Sequence, residues 1–216
     1  MARLKDQKPR SASSRAWLTR QISDPYVTRA KREGLRSRAA YKLAEIDDRN
    51  KVLRPGARVV DLGAAPGGWS EIAVHRVGAK GRVIALDILD MKPIPGVEFL
   101  QLDFLDPSAP ARLKAMLGSG AAAKADVVLS DMAANATGHR QTDHLRIIAL
   151  AEAAVDFARE VLAPGGVFLC KVLQGGTEAK LLAELKREFA TVKHVKPPAS
   201  RTDSAELYLL ARGFRA

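Results

Sequence analysis

The chain has a single cysteine, Cys170, so no intrachain disulfide can form. It falls in the apolar run Val167-Phe168-Leu169-Cys170, where a thiol packs as a small hydrophobe rather than serving as a nucleophile. No run of about 18 apolar residues occurs, so a membrane-spanning helix is not expected. The N-terminus is basic but lacks an apolar core behind the charge, which argues against an export signal. Internal repeats are absent. Histidine is scarce, and His139, Asp143 and His144 in a polar loop are too sparse a set to predict a metal site. These features suit a cytoplasmic protein, and no metal is expected.

Acid is also short relative to base. Lys and Arg number 35 against 24 Asp and Glu, a formal net charge of +11. The excess is uneven: residues 1–38 hold eleven Lys and Arg against three acids, an excess of eight in under a fifth of the chain. A polyanion is the simplest partner for such a segment, and nucleic acid is the commonest polyanion. The expected division is a basic, nucleic-acid-binding arm over residues 1–36 and a globular body over 37–216. Residues 1–14 are too polar and Ser-rich to bury a core. Trp17 and Tyr26 interrupt the charges and are expected to pack on the body rather than stack on bases.

What is present is an alternation of strands and helices, in a chain long enough for one full α/β domain. Helical patterns run from Tyr26 to Asn50 with a break at Gly34, and Ser37 is the expected cap of the second. Strands are expected at 59–62, 82–87, 97–103, 126–131, 167–173, 191–195 and 206–211. Helices follow the glycine loop after the first strand and fill 107–117, 142–162 with Thr142 as cap, and 177–189. The short connection from Pro197 to Ser204 makes the last two strands an antiparallel pair. The fold class is α/β, Rossmann-like: a mainly parallel seven-stranded sheet with an antiparallel terminal strand and helices on both faces.

The stretch Val59-Val60-Asp61-Leu62-Gly63-Ala64-Ala65-Pro66-Gly67-Gly68-Trp69 is the centre of this pattern. A buried strand ends in an acid and passes through a small-residue loop into a helix. Gly67 and Gly68 carry no Cβ to hold a ligand away, so a nucleotide-type cofactor is expected there. Asp61, Asp87, Asp103 and Asp131 all fall at strand carboxyl ends, which converge on one crevice in such sheets. Asp87 lies about 20 residues beyond the glycines, the placement that accepts ribose hydroxyl hydrogens. Asp103 is placed to accept from an adenine amine. This set suits adenosine in either NAD or S-adenosyl-L-methionine. The several acids suit a sulfonium and an ammonium better than a pyrophosphate, and the terminal hairpin is foreign to dinucleotide sheets, so the latter is favoured.

Four motifs carry a resemblance over nearly the whole chain. Ser37-Arg38-Ala39-Ala40-Tyr41-Lys42-Leu43, the stretch from Val60 to Ser70, Ser130-Asp131-Met132-Ala133, and Leu162-Ala163-Pro164-Gly165-Gly166 with Lys171 resemble the FtsJ/RrmJ (RlmE) family. These are class I S-adenosylmethionine-dependent 2′-O-ribose methyltransferases of large-subunit ribosomal RNA. The resemblance implies a catalytic Lys42, Asp131, Lys171 and Glu206 tetrad. It implies cofactor contacts from Gly63, Gly67, Gly68, Trp69, Asp87, Asp103 and Asp131. It also implies 2′-O-methylation of a 23S uridine in the A loop of the assembled 50S subunit, by a monomer. Ala134 and Ala205 depart from the pattern, at neither tetrad position. A transfer-RNA 2′-O-methyltransferase and a catalytically silent RNA-binding assembly factor are the competing readings.

The chemistry calls for such residues on its own account. A ribose hydroxyl is a poor nucleophile, so a base should take its proton during attack on the sulfonium methyl. Lys171 is the expected base, with Lys42 the neighbouring cation that disfavours its charged form. Asp131 orients lysine and donor, and Glu206 holds Lys42 or the ribose. Arg32, Arg36, Arg38 and Arg201 are the expected RNA contacts.

Overall fold

The computed structural model describes residues 24–134, 139–174, 179–202 and 204–216. The expectations placed on residues 1–14 and Trp17 lie outside the described residues. Helix α1 (Pro25–Glu33) starts one residue before the expected Tyr26. Asp24 caps it through the Tyr26 amide, Pro25 occupies the first turn, and Gly34 ends it in the left-handed conformation at φ 73°. Helix α2 (Ala39–Asn50) is different. Arg38 is its N-cap residue and no side chain caps it. Ser37, the expected cap, is half-buried, and its hydroxyl is instead buried without a partner, packed against Gly68 of the next helix.

The strands are β1 (Arg58–Leu62), β2 (Arg82–Asp87), β3 (Val97–Gln101), β4 (Ala125–Ser130), β5 (Leu162–Leu173), β6 (Phe189–Val195) and β7 (Glu206–Phe214). They form one sheet in the order β3-β2-β1-β4-β5-β7-β6. The first five are parallel, and β7 runs antiparallel to both β5 and β6. The antiparallel pair is as expected, but β7 is inserted between its neighbours and β6 takes the edge. Strand β5 begins earlier than expected. Leu162 pairs with Ala125 before the register shifts, so Pro164-Gly165-Gly166 form an irregularity within the strand.

Helices α3 (Gly68–Val77), α4 (Ala109–Leu117), α5 (Arg140–Val161) and α6 (Ala179–Glu188) complete the two covering layers, with a short 3-10 turn at Gly120–Ala123. Helix α5 starts two residues before Thr142, with His139 at its N-cap position and no side-chain cap. Side chains of a strand alternate between faces. Val60, Leu62, Ile84, Leu86, Val128 and Phe168 therefore point to one core, shared with α4, α5 and α6. Val59, Val83, Val127, Leu129, Leu169 and Leu210 point to the other, shared with α2 and α3. Burying both faces explains why the central strands read as near-continuous apolar runs. Among the described residues no helix is long and apolar enough to cross a membrane.

Candidate active site

The strand order reverses between β1 and β4, and ligands of open α/β sheets sit outside the strand ends at that point. A cavity of about 440 Å³ lies there, lined by Gly63, Asp87, Asp103, Asp131, Met132 and Arg146 among others. That volume is in the range of small-molecule sites. Gly63 has φ 78°, and a Cβ on it would come within 2.8 Å of the Met132 backbone. Glycine there lets the ends of β1 and β4 approach each other at the cavity wall. Asp87 accepts from the Ala65 amide at 2.8 Å and the Leu89 amide at 2.8 Å, so it shapes two loops at once. Asp103 is exposed and accepts from the Leu105 amide at 3.0 Å.

Gly67, Gly68 and Trp69 do not line this cavity. A Cβ on Gly67, φ 107°, would strike Ile94 and Arg36, and one on Gly68 would strike Ser37. The Trp69 indole is 2 % exposed and donates to the Ala39 carbonyl at 3.0 Å. Its ring lies 5.5 Å from that of Tyr208. Gly68 and Trp69 are thus spent on joining α3 to α2, while Gly67 packs against Ile94 and Arg36 and donates its amide to the Ala64 carbonyl at 2.7 Å.

Asp61 is fully buried on the α2/α3 face. Ser70 donates to its Oδ2 at 2.6 Å, while Oδ1 has no partner. Burial, against the Ser70 hydrogen bond and with Asp131 and Asp87 nearby, pushes its carboxyl up to about 7. Cys170 is also buried, and burial pushes its thiol up to about 12, which leaves it inert at neutral pH.

Beside the cavity the strand register assembles the four expected catalytic residues. Ser130 pairs with Cys170, so Asp131 and Lys171 follow side by side. Lys171 pairs with Tyr208, and Glu206 lies two residues from Tyr208 on the same face of β7. Helix α2 supplies Lys42 from above the sheet. Lys42 Nζ lies 2.7 Å from Glu206 Oε1, and Lys171 Nζ lies 3.1 Å from Asp131 Oδ1. Lys171 also donates to the Asp131 carbonyl at 2.6 Å. The result is two half-buried lysine–carboxylate pairs, with side chains 11–18 % exposed.

Tyr208 joins the pairs and was not foreseen from sequence. Its hydroxyl lies 3.1 Å from Asp131 Oδ1 and 3.1 Å from Glu206 Oε1, so one proton serves two carboxylates. Burial and the two carboxylates hold that hydroxyl protonated, well above its ordinary range. Ser200 donates to Glu206 Oε1 at 3.0 Å. Burial alone would raise the Glu206 carboxyl, but the Lys42 charge and hydrogen bond, with Lys171 and Ser200, outweigh it and hold the group below its ordinary value.

The basic residues expected at RNA divide into two kinds. Arg32 is 77 % exposed. Arg36 donates to the carbonyls of Lys92 at 2.7 Å and Pro93 at 2.6 Å, and more weakly to that of Pro66, so it ties the two cavity loops together. Arg38 pairs with Asp24 and donates to the Ala199 carbonyl. Arg201 also reaches Asp24, at 3.0 Å, and is 35 % exposed. Tyr26 packs against Tyr41, ring centroids 5.4 Å apart, and donates to Glu45 at 3.0 Å.

A seven-stranded sheet with β7 inserted antiparallel, and an acid-lined cavity at the β1/β4 reversal, define a class I methyltransferase. Residues 35–214 match the profile of FtsJ-like methyltransferases, and the chain belongs to that family. A relative from Xanthobacter autotrophicus, named ribosomal RNA large subunit methyltransferase E, is 62% identical over 216 residues, covering 99% of this chain and 84% of its own. One of the same name from Rhodopseudomonas palustris is 64% identical over 206 residues, 94% of this chain and 85% of its own. The crystal structure of a ribosomal RNA methyltransferase from Plasmodium falciparum is 31% identical and covers 83% of this chain and 98% of its own, with a TM-score of 0.73.

Proposed function

We propose that the protein moves a methyl group from S-adenosylmethionine to the 2′-hydroxyl of a uridine in 23S ribosomal RNA, in the A loop of the assembled large subunit. The observation that carries this reading is the pair of lysine–carboxylate contacts, Lys42 with Glu206 and Lys171 with Asp131, gathered beside the cavity. The names of its relatives support large-subunit ribosomal RNA as substrate. The net charge of +11 supports a polyanion.

The residues fit the donor. An acid-lined cavity with Asp131 in its wall suits a cationic ligand, and Asp87 and Asp103 keep lone pairs free for adenosine. When bound, S-adenosylmethionine supplies an activated methyl on a sulfonium. Lys171 Nζ, in its neutral form, would take the 2′ proton of the ribose, while the bound donor would supply the methyl to that oxygen and leave as a neutral thioether. Asp131 fixes Lys171 through two contacts, and Glu206 fixes Lys42 against the ribose side. Much of the acceleration comes from alignment, which well-oriented groups supply at effective molarities of about 10⁵ M or more. Exposed Arg32 and the basic arm hold phosphates, while the Arg201 guanidinium is committed to Asp24. The test is transfer of labelled methyl from S-adenosylmethionine to purified large subunits, naked 23S RNA and transfer RNA in parallel, followed by identification of the labelled nucleoside. The reading expects 2′-O-methyluridine from subunits; label in transfer RNA alone favours the competing substrate, and no label anywhere favours a silent assembly factor.

A further inference from the structure

We propose that Asp24 is a positioning residue for methyl transfer, holding the loop at 196–202 so that Ser200 and Glu206 meet Lys42. The inference rests on the reading of Lys42 and Glu206 as substrate-side residues. Asp24 looks at first like an ordinary helix cap, and Oδ1 does accept from the Tyr26 amide at 3.0 Å. A cap needs one oxygen. The other, Oδ2, receives Arg38 and also Arg201, the latter through Nε at 3.1 Å and Nη2 at 3.0 Å. The Asp24 side chain is 6 % exposed, so the contacts are shielded from solvent. Two guanidiniums this close repel each other unless a carboxylate stands between them.

The two arginines lead to the site by separate routes. Arg38 is the N-cap residue of α2, one turn before Lys42. Its second terminal nitrogen donates to the Ala199 carbonyl. The Ala199 amide donates to Glu45 of the same helix at 2.7 Å, so α2 grips this loop residue at both polar groups. Arg201 lies two residues further along the loop. Ser200, between them, donates to Glu206 Oε1, the oxygen that Lys42 reaches at 2.7 Å. Asp24 thus sets where the loop sits relative to α2, and the loop sets where Glu206 sits relative to Lys42. None of Asp24, Arg38, Ala199, Ser200 and Arg201 lines the acid-walled cavity. Loss of Asp24 is therefore expected to separate catalysis from donor binding.

Asp24→Asn keeps the cap oxygen and the volume but removes the charge. Three quantities are measured on the full chain. They are the single-turnover rate with saturating S-adenosylmethionine and large subunits, S-adenosylhomocysteine affinity by calorimetry, and amide hydrogen exchange across 196–207. The expected result is a rate lower by about 10- to 100-fold, the scale set by small misplacements of reacting groups. Affinity is unchanged, exchange in 196–207 is faster, and Asp24→Glu restores part of the rate. An unchanged rate overturns the proposal, as does a rate and an affinity that fall together. If Asp24→Asn does not fold, Arg201→Gln takes its place: a lower rate with unchanged affinity supports the proposal and an unchanged rate overturns it. If the wild-type protein transfers no methyl to RNA, the proposed function fails by itself. The exchange measurement then decides the role of Asp24, faster exchange in 196–207 supporting it and unchanged exchange overturning it.

Discussion

Lys42 and Glu206 lie 164 residues apart in the chain and 2.7 Å apart in the fold. Because the Glu206 carboxyl is held below its ordinary value, the folded state gives up its proton more readily than the unfolded chain does. Its contribution to stability is present above the unfolded carboxylate range and lost as pH falls through the lowered value. Glu206→Gln should therefore melt below the wild type at neutral pH, with the gap closing in acid. Methyl transfer should fall by about 10- to 100-fold, in line with misplacement of a reacting group. Thermal melts across that range and single-turnover rates check both.

Tyr208 makes a sharper test of the site than of the fold. Tyr208→Phe keeps the ring against Trp69 and removes only the hydroxyl between the carboxylates. Hydrogen bonds to charged groups contribute about 1.5–3 kcal/mol. Turnover should drop by about tenfold, near 1.4 kcal/mol on the barrier, with the KM for donor unchanged. A rise in KM with an unchanged kcat would place the hydroxyl in donor binding instead.

Asp61 gives a pH dependence of the opposite sign. Its folded value of about 7 lies above the unfolded one, so the folded chain binds the extra proton between the two. The stability tied to that proton is full below the unfolded carboxylate range and lost as pH rises through about 7. Asp61→Asn keeps an acceptor for Ser70 and mimics the neutral carboxyl. It should be as stable as the wild type in mild acid and more stable above neutrality. Denaturant titrations on either side of pH 7 measure the crossing.

The order of strands and helices could be read from sequence because both-face burial and helical periodicity leave clear local patterns. So could the acids at strand ends, and the four motifs that carry the family. What stayed hidden depends on neighbours distant in the chain. Tyr208 reads as one more core residue in Leu207-Tyr208-Leu209-Leu210; only its spacing of two from Glu206 hints that both share a face. Arg36 reads as one more positive charge, yet its donors go to carbonyls at 66, 92 and 93. Gly67 and Gly68 read as room for a ligand, whereas the space beside their α-carbons is taken by Arg36 and Ser37. The insertion of β7 between β5 and β6 rests on pairing across the sheet, which a hairpin pattern alone does not specify.

The central claim is that Lys171 takes the ribose proton in a methyl transfer to large-subunit RNA. Labelled S-adenosylmethionine, large subunits and either wild type or Lys171→Ala, read out as labelled 2′-O-methyluridine after nuclease digestion, test it most directly, with S-adenosylhomocysteine affinity measured on both proteins. The account predicts 2′-O-methyluridine with the wild type, none with Lys171→Ala, and nearly equal affinities. Wild-type turnover by Lys171→Ala, or label on a base rather than a ribose, would contradict it.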